Sequence, residues 1–431
     1  MLRLYRAVLI LPCLLAVRFA VAEPSSLAGT WSGTWVRAGE PLGVVFHFKG
    51  EANGWSGSFD SDQLRVVGIP LREIRVVFPA VEWKIAGDQT TTNFRGELHG
   101  DRLTGKFDDN GTEGIFAFQR VEHDAKQLEE REVTFRNGDI VLAGSVLLPN
   151  AAVAKVPGIV FLHGSGAEGR WASRYLATRF ARAGFAALIW DKRGVGKSAG
   201  DWKTAKVDDF ADDALAAIKK LRTMPEVDGD RVGIHGHSQG GTLVPSIATK
   251  APQIAFVIGS SASGLSPEDV EIYSIENSID LSSVAVPEAV IARDYIRTLV
   301  TTAYRALPHQ HLMELWDQVK GKSWAIEPPP DGSYYWSWSP QWAQYDPLPY
   351  WRRVHAPVLL VYGANDQRVP ARASAAAITK ALIDGGADSV TVHIFPNADH
   401  TLRLRSKVWP GTPSGYPDIL IEWTKRAILA E

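Results

Sequence analysis

Residues 231–241 read R-V-G-I-H-G-H-S-Q-G-G, and the architecture around them follows from how this stretch folds. The apolar run closing on Ile234 predicts a buried strand, and the segment from Thr242 to Lys250 suits a helix. Ser238 then sits on the tight turn between the two. A nucleophile held on so sharp a turn needs neighbours without a Cβ two positions away on each side, where Gly236 and Gly240 stand. The helix that begins there aims its free N–H groups at the serine, where negative charge would develop. Taken alone, the stretch also suits an ordinary Gly-rich strand-to-helix connection. Its surroundings decide between the two.

Outward from Ser238, buried strands are predicted at 158–162, 186–190, 232–235, 254–258, 358–362 and 390–395. Helices are predicted between them at 171–183 and 207–223. Strands separated by amphipathic helices imply a mostly parallel sheet covered on both faces, an α/β fold. Asn137-Gly138 marks a hairpin just ahead of it. Between 261 and 353 the alternation breaks. Helical stretches near 287–306 and 309–319 lead into E-P-P-P-D-G-S-Y-Y-W-S-W-S-P-Q-W-A-Q-Y-D-P at 327–347. The chain from Ser238 to Asp366 is far longer than two crossover units of about 30 residues each require. The surplus, about 262–353, reads as a helical, aromatic-rich lid. Trp336, Trp338 and Trp342 are candidates for an apolar substrate pocket within it; packing of the lid onto the body is the alternative.

In such a sheet, residues just beyond the carboxyl ends of the strands converge on one rim. Four of these ends carry polar signals: His163-Gly164-Ser165-Gly166, the Ser238 turn, G-A-N-D-Q-R-V-P with Asp366, and P-N-A-D-H with His400. The order Ser, Asp, His is the one expected of a serine triad on this kind of sheet. A serine hydroxyl is a poor nucleophile, so a neutral imidazole, His400, would accept its proton and later return it to the leaving group. Asp366 would fix the imidazole tautomer. Asp399 adjoins His400 and is badly placed to reach around its ring, and Asp191 precedes the serine. The backbone N–H groups of Ser165 and Gln239 are the candidates for holding the oxyanion.

The runs H-G-S-G, D-K-R-G-V-G-K-S, G-H-S-Q-G-G and G-A-N-D-Q-R-V-P resemble the α/β-hydrolase superfamily, in its branch of bacterial carboxylesterases, dienelactone-hydrolase-like proteins and serine aminopeptidases. The resemblance covers roughly residues 133–431. It implies Ser238, Asp366 and His400 as the triad and leaves the substrate open. The loop 191–198 resembles a family segment that is structural. No cofactor is expected: the glycines lack phosphate-loop spacing and the histidines lack metal-ligand spacing.

Ahead of this part, residues 24–122 are dense in short alternating segments such as T-W-S-G-T-W-V and L-G-V-V-F-H-F, punctuated by Gly, Asn and Asp about every ten residues. This is the pattern of a small all-β barrel or sandwich. Trp31, Trp35, Trp55 and Trp83 either pack its core or line a ligand cavity. Residues 123–132 read as a linker. The first 22 residues read as a secretory signal, with Arg3 and Arg6 ahead of an apolar core too short to span a bilayer and Ala20-Val21-Ala22 at the cleavage site. A periplasmic or secreted protein is therefore expected, with no membrane span after signal removal. The single cysteine, Cys13, lies in that segment, so the mature chain has no thiol. With 46 basic and 48 acidic residues and no basic block, nucleic acid is not an expected partner.

The composite expectation is an exported serine hydrolase acting on a small-molecule ester. A serine aminopeptidase acting on short peptides, and a ligand-binding protein with an inert hydrolase part, are the alternatives. The oligomeric state is not legible.

Overall fold

The computed structural model describes residues 26–87, 90–122, 128–150, 154–279, 284–387, 390–406 and 408–429. The expected signal segment with Cys13, and residues 123–127 of the expected linker, lie outside them; residues 128–132 of that linker are strand. Eight antiparallel strands come first: β1 (Gly29–Arg37), β2 (Glu40–Glu51), β3 (Gly54–Ser61), β4 (Val66–Val77), β5 (Ala80–Ala86), β6 (Thr91–His99), β7 (Arg102–Asp109) and β8 (Thr112–Val121). β1 pairs with both β2 and β8, from Thr30↔Val121 to Arg37↔Gly114, so the sheet closes into a barrel without a free edge. Alternation sends Trp31, Trp35, Phe46, Trp83, Phe94 and Phe118 inward, all buried. Trp83 stacks on Phe94 at 4.9 Å, and Trp35 meets Phe94 and Phe107 edge-on at 5.0 Å each. The barrel tryptophans Trp31, Trp35 and Trp83 are therefore core packing.

The chain then runs through β9 (Leu128–Asn137), β10 (Ile140–Pro149), β11 (Val156–Leu162), α1 (Trp171–Arg182), β12 (Ala186–Trp190), α2 (Val207–Arg222), β13 (Val227–His237), α3 (Gln239–Lys250) and β14 (Val257–Ser260). Five helices follow: α4 (Pro267–Ser278), α5 (Val286–Tyr304), α6 (Gln310–Val319), α7 (Tyr334–Ala343) and α8 (Leu348–Trp351). Finally come β15 (Val358–Gly363), α9 (Ala371–Asp384), β16 (Val390–Phe395) and α10 (Asp418–Ala427). The sheet order is β16-β15-β14-β13-β11-β12-β10-β9. The strands from β16 through β12 are parallel, β10 runs antiparallel to β12, and β9 runs antiparallel to β10. The two-residue connection of the β9–β10 hairpin places Gly138 at φ 54°, a left-handed conformation that costs glycine little.

Helices cover both faces, because strands such as G-I-V-F-L in β11 are apolar on both sides. On one face Leu221 of α2, Leu243 and Ile247 of α3 and Ile378 of α9 share a core with the sheet. On the other, Phe180 of α1 and Leu420 and Trp423 of α10 pack on Phe161 and Ile258. Each such side chain, fully buried, is worth roughly 1.5–3 kcal/mol.

The insertion joins the first of these cores through Ile272, Ile296, Trp342 and Trp351, and has a smaller core of its own around Tyr295, Leu312 and Trp324. Its aromatic stretch is itself helical as α7, begun by Ser333, whose side chain accepts from Tyr335 N. Among the described residues no helix is long and apolar enough to cross a membrane.

The barrel and the sheet are locked together by the segment after β16. Trp409 enters the barrel core, 5.3 Å from Trp35, with its Nε1 donating to Glu40 O at 3.0 Å. The Arg37 guanidinium lies 4.0 Å over the Trp409 ring and donates to Val408 O.

Candidate active site

Ser238 has φ 55° and ψ −117°, a strained conformation at the end of β13 and the start of α3. The flanking glycines make that turn possible. A Cβ on Gly236 would lie 2.3 Å from Gly240 O, and one on Gly240 would lie 2.5 Å from His163 O. The second contact matters as much as the first, because it lets α3 approach the loop that follows β11.

His400, in the loop after β16, brings Nε2 to 2.9 Å from Ser238 Oγ. Its Nδ1 lies 2.8 and 3.0 Å from the two carboxylate oxygens of Asp366. Asp366, in the loop after β15, is only 3% exposed. Its Oδ1 also accepts from the backbone N–H of Arg368 and Val369 at 2.8 Å each. The acid is thus held on a second side by its own loop. Asp399, the other nearby carboxylate, is occupied differently: its Oδ1 accepts from Thr401 N and Arg403 N within the turn.

The Ser165 loop is fixed from below by Lys192. Its Nζ donates to Gly164 O, to Gly166 O at 2.8 Å and to Gln239 Oε1 at 3.5 Å. Burial pulls this lysine down to about 8. Gly164 N is used by Glu168 Oε2 at 2.7 Å. The N–H groups of Ser165 and Gln239 have no acceptor among the described residues. His163 plays no part at the serine: its Nε2 bonds Trp190 O, and burial pushes it down to about 3.

Trp336, Trp338 and Trp342 make their polar and ring contacts within the insertion. Trp336 donates to Pro329 O at 3.0 Å and lies 4.1 Å from the His309 ring. Trp342 is buried in a stack between Trp338 and Tyr345, and Tyr345 Oη donates to Thr242 O on α3. No hydrogen bond or ring contact joins these three tryptophans to Ser238 or His400 among the described residues.

Several supporting residues carry no motif in the sequence. Ser261 Oγ donates to His400 O at 2.8 Å, and Tyr273 Oη donates to Asp366 O at 2.8 Å. From the barrel, Arg65 Nη2 donates to Thr401 O at 2.6 Å, directly beside His400. These partners are remote along the chain, and only the folded structure shows them.

Two family sequence models match successive parts of the chain. The family described as "Serine aminopeptidase, S33" matches residues 155–302, and the "Prolyl oligopeptidase family" matches residues 308–408. The first match contains Ser238, the second Asp366 and His400, and both lie on the mostly parallel, helix-covered sheet. The chain belongs to the α/β-hydrolase superfamily.

Within this α/β-hydrolase the barrel, β1 to β8, lies outside both matches. The quorum-quenching protein AidA of Acinetobacter baumannii is 33% identical over 128 residues, 30% of this chain and 42% of that protein. An uncharacterized protein of Pseudomonas aeruginosa is 29% identical over 138 residues, 31% of this chain and 37% of that one. The chain thus spans about two fifths of the length of each of these relatives. The solved structure of an esterase from Pyrococcus furiosus superposes with a TM-score of 0.44 at 17% identity, covering 71% of this chain and 93% of that one.

One consequence of the site's burial is measurable. His235 is 4% exposed; its Nε2 lies 2.9 Å from Ser260 Oγ, its Nδ1 has no partner, and burial pushes it down to about 3. Unfolded, it titrates near 6.5. Between pH 6.5 and about 3 the unfolded chain therefore binds a proton that the native state refuses. The stability this group confers is complete above about pH 6.5 and is lost as pH falls through that window. Urea midpoints taken from pH 7 to pH 4 should fall more steeply for the wild type than for His235→Asn; parallel slopes would remove His235 from the account.

Proposed function

We propose that this protein is an exported serine hydrolase that cleaves carboxylic esters through an acyl-enzyme on Ser238. The observation that carries this reading is the hydrogen-bonded chain Ser238 Oγ, His400 Nε2, His400 Nδ1, Asp366, assembled at the carboxyl ends of three parallel strands. His400 takes the serine proton as Oγ bonds to the ester carbonyl carbon. The C–O bond to the alcohol then breaks, and the alcohol leaves with that proton. Water repeats the cycle in reverse order, giving the acid and free serine. Asp366 holds the ring and stabilises the imidazolium. The unused N–H groups of Ser165 and Gln239 receive the oxyanion, each worth about 3–4 kcal/mol in the transition state. The helical insertion acts as a lid over this site, and the N-terminal signal sends the protein out of the cytoplasm.

A second reading, a peptidase, is favoured by one feature of the insertion. Glu271 on α4 is half-buried and has no hydrogen bond or ion pair among the described residues; burial raises its pKa, against the opposing pull of the Arg368 charge. A lid carboxylate of this kind suits a substrate amine.

The deciding experiment compares p-nitrophenyl esters of short and long acids with aminoacyl-p-nitroanilides, before and after treatment with a fluorophosphonate. Ester turnover lost on labelling is expected. Anilide cleavage alone would install the peptidase reading. Neither turnover nor labelling would leave a binding protein.

A further inference from the structure

Where the barrel meets the sheet, two arginines face one cavity. Arg65 precedes β4 and reaches across to Thr401 O and Leu402 O; Arg403, in the loop after β16, reaches back to Leu64 O at 2.8 Å. Neither is ion-paired with a carboxylate among the described residues. Both line a cavity of about 430 Å³ together with Trp171 and Tyr175 of α1, His237 and Tyr416. The cavity adjoins the catalytic base, since the His237 and His400 rings lie 5.1 Å apart. Donors remain unused in it. Arg65 Nε is buried without an acceptor, and Nε and Nη1 of Arg403 have none among the described residues. The Nδ1 of His235, which also lines the cavity, is likewise buried and unpartnered.

The nearby acids do not cancel this charge. Glu168, at the cavity wall, is turned to Gly164 N and has the Lys192 ammonium close by. Asp399 uses Oδ1 for the backbone of its own turn, which leaves it one charge against two guanidiniums. Burial and the neighbouring Arg65 charge both lower the pKa of Arg403, so the pair sits at a cost that an anion would relieve. Guanidinium N–H groups suit a planar carboxylate, and the Trp171 and Tyr175 rings suit the short apolar chain behind it; the Tyr416 ring already lies under Arg65, 5.2 Å from its guanidinium.

We propose that this seam cavity is an anion subsite that receives a carboxylate carried by the substrate, so that half-esters of dicarboxylic acids are preferred over neutral esters. The preference rests on the serine-hydrolase reading; the anion site itself rests only on the seam.

The test therefore has two arms, both on the full chain. In the first, mono-4-nitrophenyl glutarate is compared with 4-nitrophenyl pentanoate. The wild type should favour the glutarate by about tenfold or more in KM, as expected for a charge-assisted hydrogen bond out of bulk water. Arg403→Met should collapse the ratio of the two KM values towards one, and Arg403→Lys should restore much of it. Equal KM values in the wild type, or a preference surviving in both Arg403→Met and Arg65→Met, would overturn the proposal. In the second arm, calorimetry with glutarate alone should show saturable binding that glutaramide does not reproduce and that Arg403→Met weakens about tenfold. Absence of glutarate binding at millimolar concentration overturns the subsite whether or not any ester is turned over. Binding without ester turnover or fluorophosphonate labelling would uphold the subsite and reject the hydrolase reading.

Discussion

Ser238→Ala is expected to lower kcat on a p-nitrophenyl ester by about 10⁶-fold, and Asp366→Asn by about 10⁴-fold, both with a nearly unchanged thermal midpoint. The first removes the bond-forming atom. The second is more informative, because it leaves the scaffold intact. Asp366 Oδ1 accepts two backbone N–H groups of its own loop, and an asparagine oxygen can keep both. Its amide then faces His400 Nδ1 as a donor where a carboxylate had been an acceptor. The ring must turn its lone pair to Nδ1 and carry its proton on Nε2, which faces Ser238 Oγ. An imidazole protonated there cannot take the serine proton. Turnover by Asp366→Asn within tenfold of the wild type would show that another group orients the base.

The second large effect is expected far from the serine. Trp409→Ala should cost about 3–5 kcal/mol of stability, as aromatic truncations in a packed core do. It should also lower kcat, with KM much less affected. The ring is 7% exposed, fills one end of the barrel, and anchors the chain that begins at His400. With it gone, that segment keeps Arg65 on Thr401 and Ser261 on His400 but loses its far anchor. A displacement of the imidazole by about 1 Å would cost on the order of 10²-fold in rate. Trp409→Phe should restore most of the packing without the Nε1 hydrogen bond to Glu40 O. Urea titration and kcat on the same samples separate the two effects; an unaltered kcat in Trp409→Ala would show that the base is held without this indole.

What could be read from the sequence follows from which constraints are local. Gly236 and Gly240 flank Ser238 because a Cβ at either would strike backbone within three ångströms, and that requirement shows as spacing. The strand end carrying Asp366 is marked by the apolar run V-L-L-V-Y stopping at polar residues, and the one carrying His400 by the alternating V-T-V-H-I-F ending at P-N-A-D-H. Arg65, Ser261 and Trp409 left no such mark. Their partners are up to hundreds of positions away, and a tryptophan in a Pro- and Gly-rich loop looks the same whether it plugs a barrel or lies on a surface. The aromatic stretch of the insertion hid its helix for a different reason. Three prolines just before it and one within it, Pro340, argue against helix, and tertiary packing of Ser339 and Trp342 overrides them. The same density of indoles suits a pocket or a core, and composition does not separate the two.

The barrel has all its strand partners once β8 is made, yet its interior is finished only by an indole some three hundred residues later. Until Trp409 is added, the barrel is therefore an unplugged cylinder of aromatic rings. The stretch that supplies the stopper begins with the imidazole. Completion of the barrel core and arming of the serine thus depend on one stretch of chain, and a chain cut before it has neither.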